Sequence, residues 1–477
     1  MSQSRAILNL GAWRTLEGQP GGSPLRIPAD HLVTHAVVVG MTGSGKSGLV
    51  MVMAEEALRA RVPVLMIDVK GDLPNLLLSF ADFDARHYTS WFAQQATAEE
   101  AGELASKCAA ERAENFRQWN LSESDLAAFA TNTQIRLITP GANSGESLHV
   151  LSSLEKRSPR WDTDPDAARS ALSAAVSLVL RLLGRDPEPA RSKEHVLLSV
   201  LAERRLLAGQ NAELPALMQD VKSPPIAEVG ALPISEFMKK SERLKLAASL
   251  NTLLASPTFA SWRQGAALDV QSWLTPDATG RTPAVILSVA HLDDEERALV
   301  LGVVLEDVLS WVRSLPGSQQ LKALVMFDEV YGFLPPHPAN PPTKRPIVAL
   351  MKQARAFGVG VVVATQNPMD LDYRALSNAG VWCIGRLQTD ADRARVIDGL
   401  RGALSVEQTD AAIEEDLGRT IQRLADRWFV VKDTHAKVGP LLLQPRYAMS
   451  WLRGPMTRGE LRAACEQRLA AGNRAPF

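Results

Sequence analysis

Val37-Val38-Val39-Gly40-Met41-Thr42-Gly43-Ser44-Gly45-Lys46-Ser47 is a short β-branched run that breaks into G-x-x-x-x-G-K-S, and an apolar segment of helical character follows over residues 48–60. Strand, glycine-rich turn and helix N-terminus in that order make a phosphate-binding loop. The glycines let backbone N–H groups close around phosphate oxygens, and the helix end adds a partial positive charge. In this reading residues Gly40, Met41, Thr42, Gly43, Ser44 and Gly45 form the cradle. Lys46 reaches the β- and γ-phosphates, and the Ser47 hydroxyl holds Mg²⁺. The expectation is a bound nucleoside triphosphate.

Short β-rich runs recur along the rest of the chain between helical patterns, the signature of a mainly parallel α/β sheet. Strands are expected at 36–39, 64–67, 135–139, 284–289, 323–327, 359–364, 381–384 and 428–431. Two helix-rich stretches interrupt them, over 82–131 and 161–262, with patterns at 171–183, 194–207 and 241–254. They are expected to form a helical insertion on a nucleotide-binding core built from 1–81, 132–160 and 263–440, with 441–477 as a C-terminal arm. That arm ends in a helix expected over 458–469 and packs either on its own core or on a neighbour. The run Pro335-Pro336-His337-Pro338-Ala339-Asn340-Pro341-Pro342 is too stiff and donor-poor for sheet and reads as a loop.

Leu324-Val325-Met326-Phe327-Asp328-Glu329 is an apolar strand ending in two acids. A carboxylate at the end of a buried strand can hold the Mg²⁺ hydration shell, the role of Asp328, and a second can orient and activate water, the role of Glu329. A competing motif, Asp68-Val69-Lys70-Gly71, resembles the γ-phosphate switch of GTPases, and Asn367-Pro368-Met369-Asp370 resembles a guanine-recognition motif. Pro368 stands where that motif needs lysine, and no segment long enough for a first switch lies between the P-loop helix and Asp68. The cofactors expected are therefore ATP and Mg²⁺.

Gln366, after the strand at 359–364, reads either as a sensor of the γ-phosphate or as an ordinary strand-end amide. Arg355, on a helix that Gly358 would end, reads either as an arginine finger reaching a neighbouring subunit or as a solvated helix arginine. Arg386, after the strand at 381–384, is the second candidate finger.

The ordered set Gly40 to Ser47, Ile67-Asp68-Val69-Lys70-Gly71-Asp72, Ile138-Thr139-Pro140-Gly141, Phe327-Asp328-Glu329, Arg355 with Gly358, Ala364-Thr365-Gln366-Asn367-Pro368 and Ile384-Gly385-Arg386-Leu387 resembles the HerA/FtsK family of P-loop ATPases. The resemblance implies a RecA-like fold and a homo-oligomeric ring, a hexamer, that drives duplex DNA or sometimes protein through a central channel. It implies that Arg355 is the trans-acting finger, that Gln366 is the sensor, and that Asp68 lies near the nucleotide. Only about forty residues precede Gly40, too few for the β-barrel of HerA proper, so nuclease docking through such a barrel is not expected. A nuclease or a defence effector is the further class of partner implied.

The formal net charge is -1, so a nucleic-acid surface has to be local. Candidate contacts are Lys239, Lys240, Arg243 and Lys245 in one cluster and Lys344 with Arg345 in a loop, each of which, taken singly, reads more readily as a solvated face or loop. No aromatic ladder for single strands is visible. Three scattered cysteines argue against a disulfide framework or zinc site and fit a reducing cytoplasm. No apolar run is long enough to span a bilayer, and no membrane insertion is expected. The function expected is an ATP-hydrolysing DNA translocase or helicase. The alternatives are a secretion or conjugation ATPase moving protein or nucleoprotein, and a switch-like subunit of a defence complex.

Overall fold

Val37 and Val39 enter one hydrophobic core while Ala36 and Val38 enter another, and Leu65 and Ile67 divide from Val64 and Met66 in the same way. Strands this apolar on both faces can only be covered on both faces, so the sheet is the middle layer of three. A computed structural model of the chain describes residues 6–93, 96–189, 191–376, 379–401, 411–436 and 439–470.

The main sheet contains β1 (Ile7–Arg14), β2 (Leu25–Pro28), β3 (Ala36–Val39), β4 (Val64–Asp68), β5 (Thr133–Ile138), β6 (Thr282–Ser288), β7 (Ser318–Asp328), β8 (Phe357–Thr365), β9 (Val381–Ile384), β10 (Phe429–Asp433) and β11 (Leu441–Pro445). Their order is β2-β1-β11-β10-β9-β3-β8-β7-β4-β6-β5. From β9 to β5 every pairing is parallel. From β9 back to β2 every pairing is antiparallel. The eight strands expected from sequence are all in this sheet. Three further strands, β2, β1 and β11, extend its antiparallel side, so residues 441–445 sit in the sheet before the arm begins.

The register sets the site. Thr365 pairs with Val39, and Asp328 pairs with Asp68, so the C-terminal ends of β3, β8, β7 and β4 lie side by side. Inserting β8 between the P-loop strand and the acidic strand opens a crevice at those ends, the place where open α/β sheets bind ligands.

Helix α1 (Lys46–Arg59) leaves the P-loop and packs its apolar residues, Leu49 to Leu58, into one core. The other face is covered by α9 (Asp294–Ser314) and by insertion helices that share its core: α5 (Pro165–Leu182), α6 (Lys193–Leu207), α7 (Leu214–Lys222) and α8 (Lys240–Ala255). The earlier helical stretch forms α2 (Arg86–Phe92), α3 (Ala98–Gln118) and α4 (Glu123–Asn132). The first of the long ones starts with a capping box in which Thr97 and Glu100 satisfy each other's free amides.

The C-terminal segment packs on its own chain. Arg446 is 2 % exposed and pairs with Glu55 at 2.8 Å and Glu56 at 2.9 Å on α1. Trp451 meets Tyr88 edge to face at 5.2 Å, and α13 (Arg458–Ala470) lies against the 3-10 turn Leu73–Leu78. Between α9 and α13 run α10 (Lys344–Gln353), α11 (Asp390–Arg401) and α12 (Ala411–Arg423). No helix among the described residues is long and apolar enough to cross a membrane.

Candidate nucleotide site

The glycine-rich loop turns because Gly43 and Gly45 adopt φ of 82° and 87°, a region that side chains disfavour. Its backbone is tied into the sheet ends: the Gly40 amide donates to Thr365 O and the Met41 amide donates to Arg386 O. A side chain at Gly45 would strike Arg427, whose amide donates to Ser44 O. Arg427 is therefore a backing strut of the loop, and its guanidinium lies 3.9 Å from the Tyr447 ring centroid.

Glu329 is the hub. It sits one residue beyond β7 with φ of 62°, unusual for a residue with a Cβ. One carboxylate oxygen accepts from Lys46 Nζ at 3.1 Å and from Lys70 Nζ at 2.7 Å. The other accepts from the Thr365 hydroxyl at 3.0 Å and the Gln366 amide at 3.1 Å. Burial alone would raise its pKa, but the two ammonium groups and the Gln366 amide outweigh it and hold the carboxyl below its ordinary value. Burial lowers the pKa of Lys46 in turn, opposed by Glu329 and Asp328.

Asp328 is 1 % exposed, and neither of its oxygens has a hydrogen-bond partner among the described residues. Burial pushes its pKa up; Lys46 works against that and Asp72 with it. A buried carboxylate with open lone pairs beside an ammonium group fits the hydration shell of a divalent cation. Ser47 lies on the same side, its hydroxyl 3.4 Å from Asp72 Oδ2. The donor set present thus fits Mg²⁺ with a triphosphate.

Asp68 stands beside Asp328 in register, and its hydrogen bonds are made within its own chain. Its oxygens accept from the Ser288 hydroxyl at 2.6 Å and from the amides of Gly71 and Leu73 at 2.9 and 3.3 Å. Burial pushes its pKa up to about 6 against those donors. With both oxygens engaged, Asp68 shapes the loop that carries Lys70 and Asp72, and those two residues reach Glu329 and Ser47. Gln366 stands at the loop mouth, its side-chain oxygen accepting from the Thr42 hydroxyl at 2.8 Å. Beside the α1 N-terminus lies a cavity of about 360 Å³ lined by Gly45, Gly48, Arg427, Tyr447, Trp451 and Leu452.

Arg355 is elsewhere. It lies in a 3-10 turn, Ala354–Ala356, not on the helix expected, because α10 ends at Gln353 and Gly358 belongs to β8 with φ of 77°. A side chain at Gly358 would strike Gln320 O, so that glycine serves strand packing and not a helix cap. Arg355 lies just before β8, whereas the P-loop contacts its end, and nine residues of strand span roughly 30 Å. It cannot reach the P-loop of its own chain. Arg386 is the reverse case: its carbonyl holds Met41, and its side chain pairs with Asp426 at 2.9 Å, beside its own loop.

Of the candidate nucleic-acid contacts, Lys239, Lys240, Lys245 and Arg345 are exposed. Lys344 pairs with Asp372 at 3.3 Å. Arg243 is corrected: it is buried and donates to the carbonyls of Val221 and Lys222, closing the C-terminal end of α7. The residues that sequence reading missed are Lys70, Asp72, Arg427 and Tyr447. Only the first two carried a signal, their place in the loop after β4.

Residues 16–136 match the family described as the central domain of helicase HerA. Among solved structures, VirB4 of Thermoanaerobacter pseudethanolicus superposes with a TM-score of 0.52 at 12 % identity over 94 % of this chain and 98 % of that one. The bacterial conjugative coupling protein TrwB, in a form in complex with sulphate, gives 0.50 at 15 % identity over 95 % and 92 %. No curated protein matches the sequence. In the order of its motifs, in the matched central segment and in its RecA-like sheet, the chain resembles the HerA/FtsK family of P-loop ATPases.

Proposed function

We propose that the protein is an ATP-hydrolysing ring motor of the HerA/FtsK type that translocates duplex DNA in the cytoplasm. The observation that carries the reading is a fitted P-loop site, with Asp328 open and Glu329 held anionic, in a chain whose Arg355 lies about 30 Å from that site.

In this reading the loop amides and Lys46 bind the triphosphate, and Lys46 exchanges Glu329 for phosphate oxygens. A Mg²⁺ ion held by Ser47 and, through water, Asp328 would supply charge neutralisation at the β- and γ-oxygens. Glu329 takes the proton of the attacking water, and Lys70 keeps it aimed. Gln366, tied to Thr42, senses the terminal phosphate at the loop mouth. Tyr447 and Arg427 wall the seat of the base. Arg355 of a neighbouring copy stabilises the charge that develops on the transferred group. A six-membered ring would also repeat Lys239, Lys240, Lys245 and Arg345 around its axis, which multiplies a weak local charge.

ATP turnover with and without duplex DNA, run beside a native-mass measurement, tests the reading. Rings whose turnover rises with duplex DNA support it. Rings whose turnover ignores DNA remove the translocase and leave a protein-moving conjugation-type ATPase or a switch-like defence subunit. A protein that never assembles removes the motor.

A further inference from the structure

Far from the P-loop, at the N-terminal ends of β4, β5 and β6, a cavity of about 840 Å³ is lined by Arg61, Ser79, Asn132, Arg281, Gln467 and Arg468, among others. Its wall holds three arginines and no carboxylate. Arg468, in the last turn of α13, is 7 % exposed. Its Nη1 donates to Leu77 O, Ser79 O and the Ser79 hydroxyl at 3.3, 3.3 and 3.1 Å. Its Nε and Nη2 have no partner among the described residues, although both are buried. Those two nitrogens form one straight edge of the guanidinium, the edge that grips two oxygens of an oxyanion side by side.

The surroundings do not neutralise this charge. Burial, and after it the charge of Arg281, lowers the Arg468 pKa to about 10. Arg281 is committed to Asp277, 2.7 Å away, while Arg61 donates to neutral oxygens of Asn132, the side-chain oxygen at 2.7 Å and the carbonyl at 3.5 Å. An uncompensated buried guanidinium is costly unless something anionic completes it. A single carboxylate would leave the excess of positive charge, whereas a phosphate brings two negative charges and enough oxygens for Arg468 and Arg61 together. The volume suits a nucleotide-sized molecule, since small-ligand sites run to roughly 300–1,000 Å³.

We propose that this cavity is a second ligand site, distinct from the P-loop, that binds a small phosphate-bearing molecule through Arg468 and Arg61. The bound phosphate takes the free edge of Arg468 while Nη1 continues to hold the end of the Leu73–Leu78 turn.

Full-length Lys46→Ala protein, which weakens the P-loop's hold on phosphate, is titrated with inorganic phosphate, inorganic pyrophosphate and AMP, by calorimetry and by thermal shift; binding that is unchanged in a folded Lys46→Ala/Arg468→Gln protein belongs to the P-loop and overturns the proposal. Saturable binding of at least one probe is expected, weakened about tenfold or more by Arg468→Gln, the loss of a charge-assisted pair. Binding of AMP names a phosphate ester as the ligand class, and binding of the inorganic probes alone names free phosphate; either supports the site. If Arg468→Gln does not fold, the exposed rim variant Arg61→Ser decides: weaker binding supports the proposal, and unchanged binding overturns it. No binding of any probe to the Lys46→Ala protein also overturns it.

Discussion

Glu329→Gln removes one negative charge from a carboxylate that accepts four hydrogen bonds, two of them from ammonium groups. The introduced amide oxygen can still accept from the Thr365 hydroxyl and the Gln366 amide, so the shape of the hub survives. What goes is the ionic hold on Lys46, 4 % exposed, and on Lys70. A hydrogen bond to a charged group contributes about 1.5–3 kcal/mol. In the wild type the triphosphate must draw Lys46 away from that hold. Without it, ATP affinity should rise by about one to two orders of magnitude, since each ~1.4 kcal/mol is tenfold. Turnover should fall by at least about 10²-fold, the lower end for loss of a positioned general base. Calorimetric ATP binding and steady-state phosphate release measure the two sides separately. Turnover within a few-fold of wild type would take Glu329 out of its assigned role. Weaker ATP binding would show that the Lys46–Glu329 pair does not compete with the nucleotide.

Arg355→Ala should leave ATP affinity unchanged and cut turnover by about 10³-fold. Mixing it with Lys46→Ala should recover part of the rate, because some interfaces then join a sound P-loop to a sound arginine; a mixture as inert as its parts argues against a shared site. His35, buried with φ of 68°, accepts the Val361 amide on Nδ1, and burial lowers its pKa to about 4. With the unfolded value near 6.5, the unfolded chain binds the proton first, so the stability due to His35 is whole above pH 6.5 and lost as pH falls towards 4. The full loss is on the order of 3 kcal/mol. His35→Asn keeps an acceptor and tolerates the backbone angle, and urea midpoints across that range should flatten; an unchanged slope assigns the pH dependence elsewhere. Arg446→Ala strands the buried carboxylates of Glu55 and Glu56 and should cost about 3–5 kcal/mol, read by urea unfolding. Early proteolysis after residue 446 should accompany it, and a change under 1 kcal/mol would mean that the arm is held mainly by its apolar contacts.

The parallel strands were legible because both faces are buried: 36–39, 64–67 and 359–364 have no room for a polar residue. The added antiparallel strands were not. Ile7–Arg14 mixes Asn9 and Gly11 into its apolar residues because it is half exposed and breaks register at a bulge between those two. Leu441–Pro445 is a strand only through partners near residues 10 and 430. In the site, contiguous motifs could be read and convergent ones could not. Gly40 to Ser47 and Asp328-Glu329 announce themselves, whereas Arg427 reaches the loop across nearly four hundred positions of chain. Arg243 misled for a related reason: within a basic run nothing distinguishes the one arginine that turns inward to close a helix end.

The left-handed backbone at Glu329 places two kinds of selection in opposition. A non-glycine residue in that region costs on the order of 1–3 kcal/mol. A library of position-329 variants ranked only by melting temperature should drift towards glycine or asparagine, which adopt the angle cheaply. The same library ranked by phosphate release should return glutamate. The gap between the two rankings would measure how much fold stability this chain gives up to keep its carboxylate aimed.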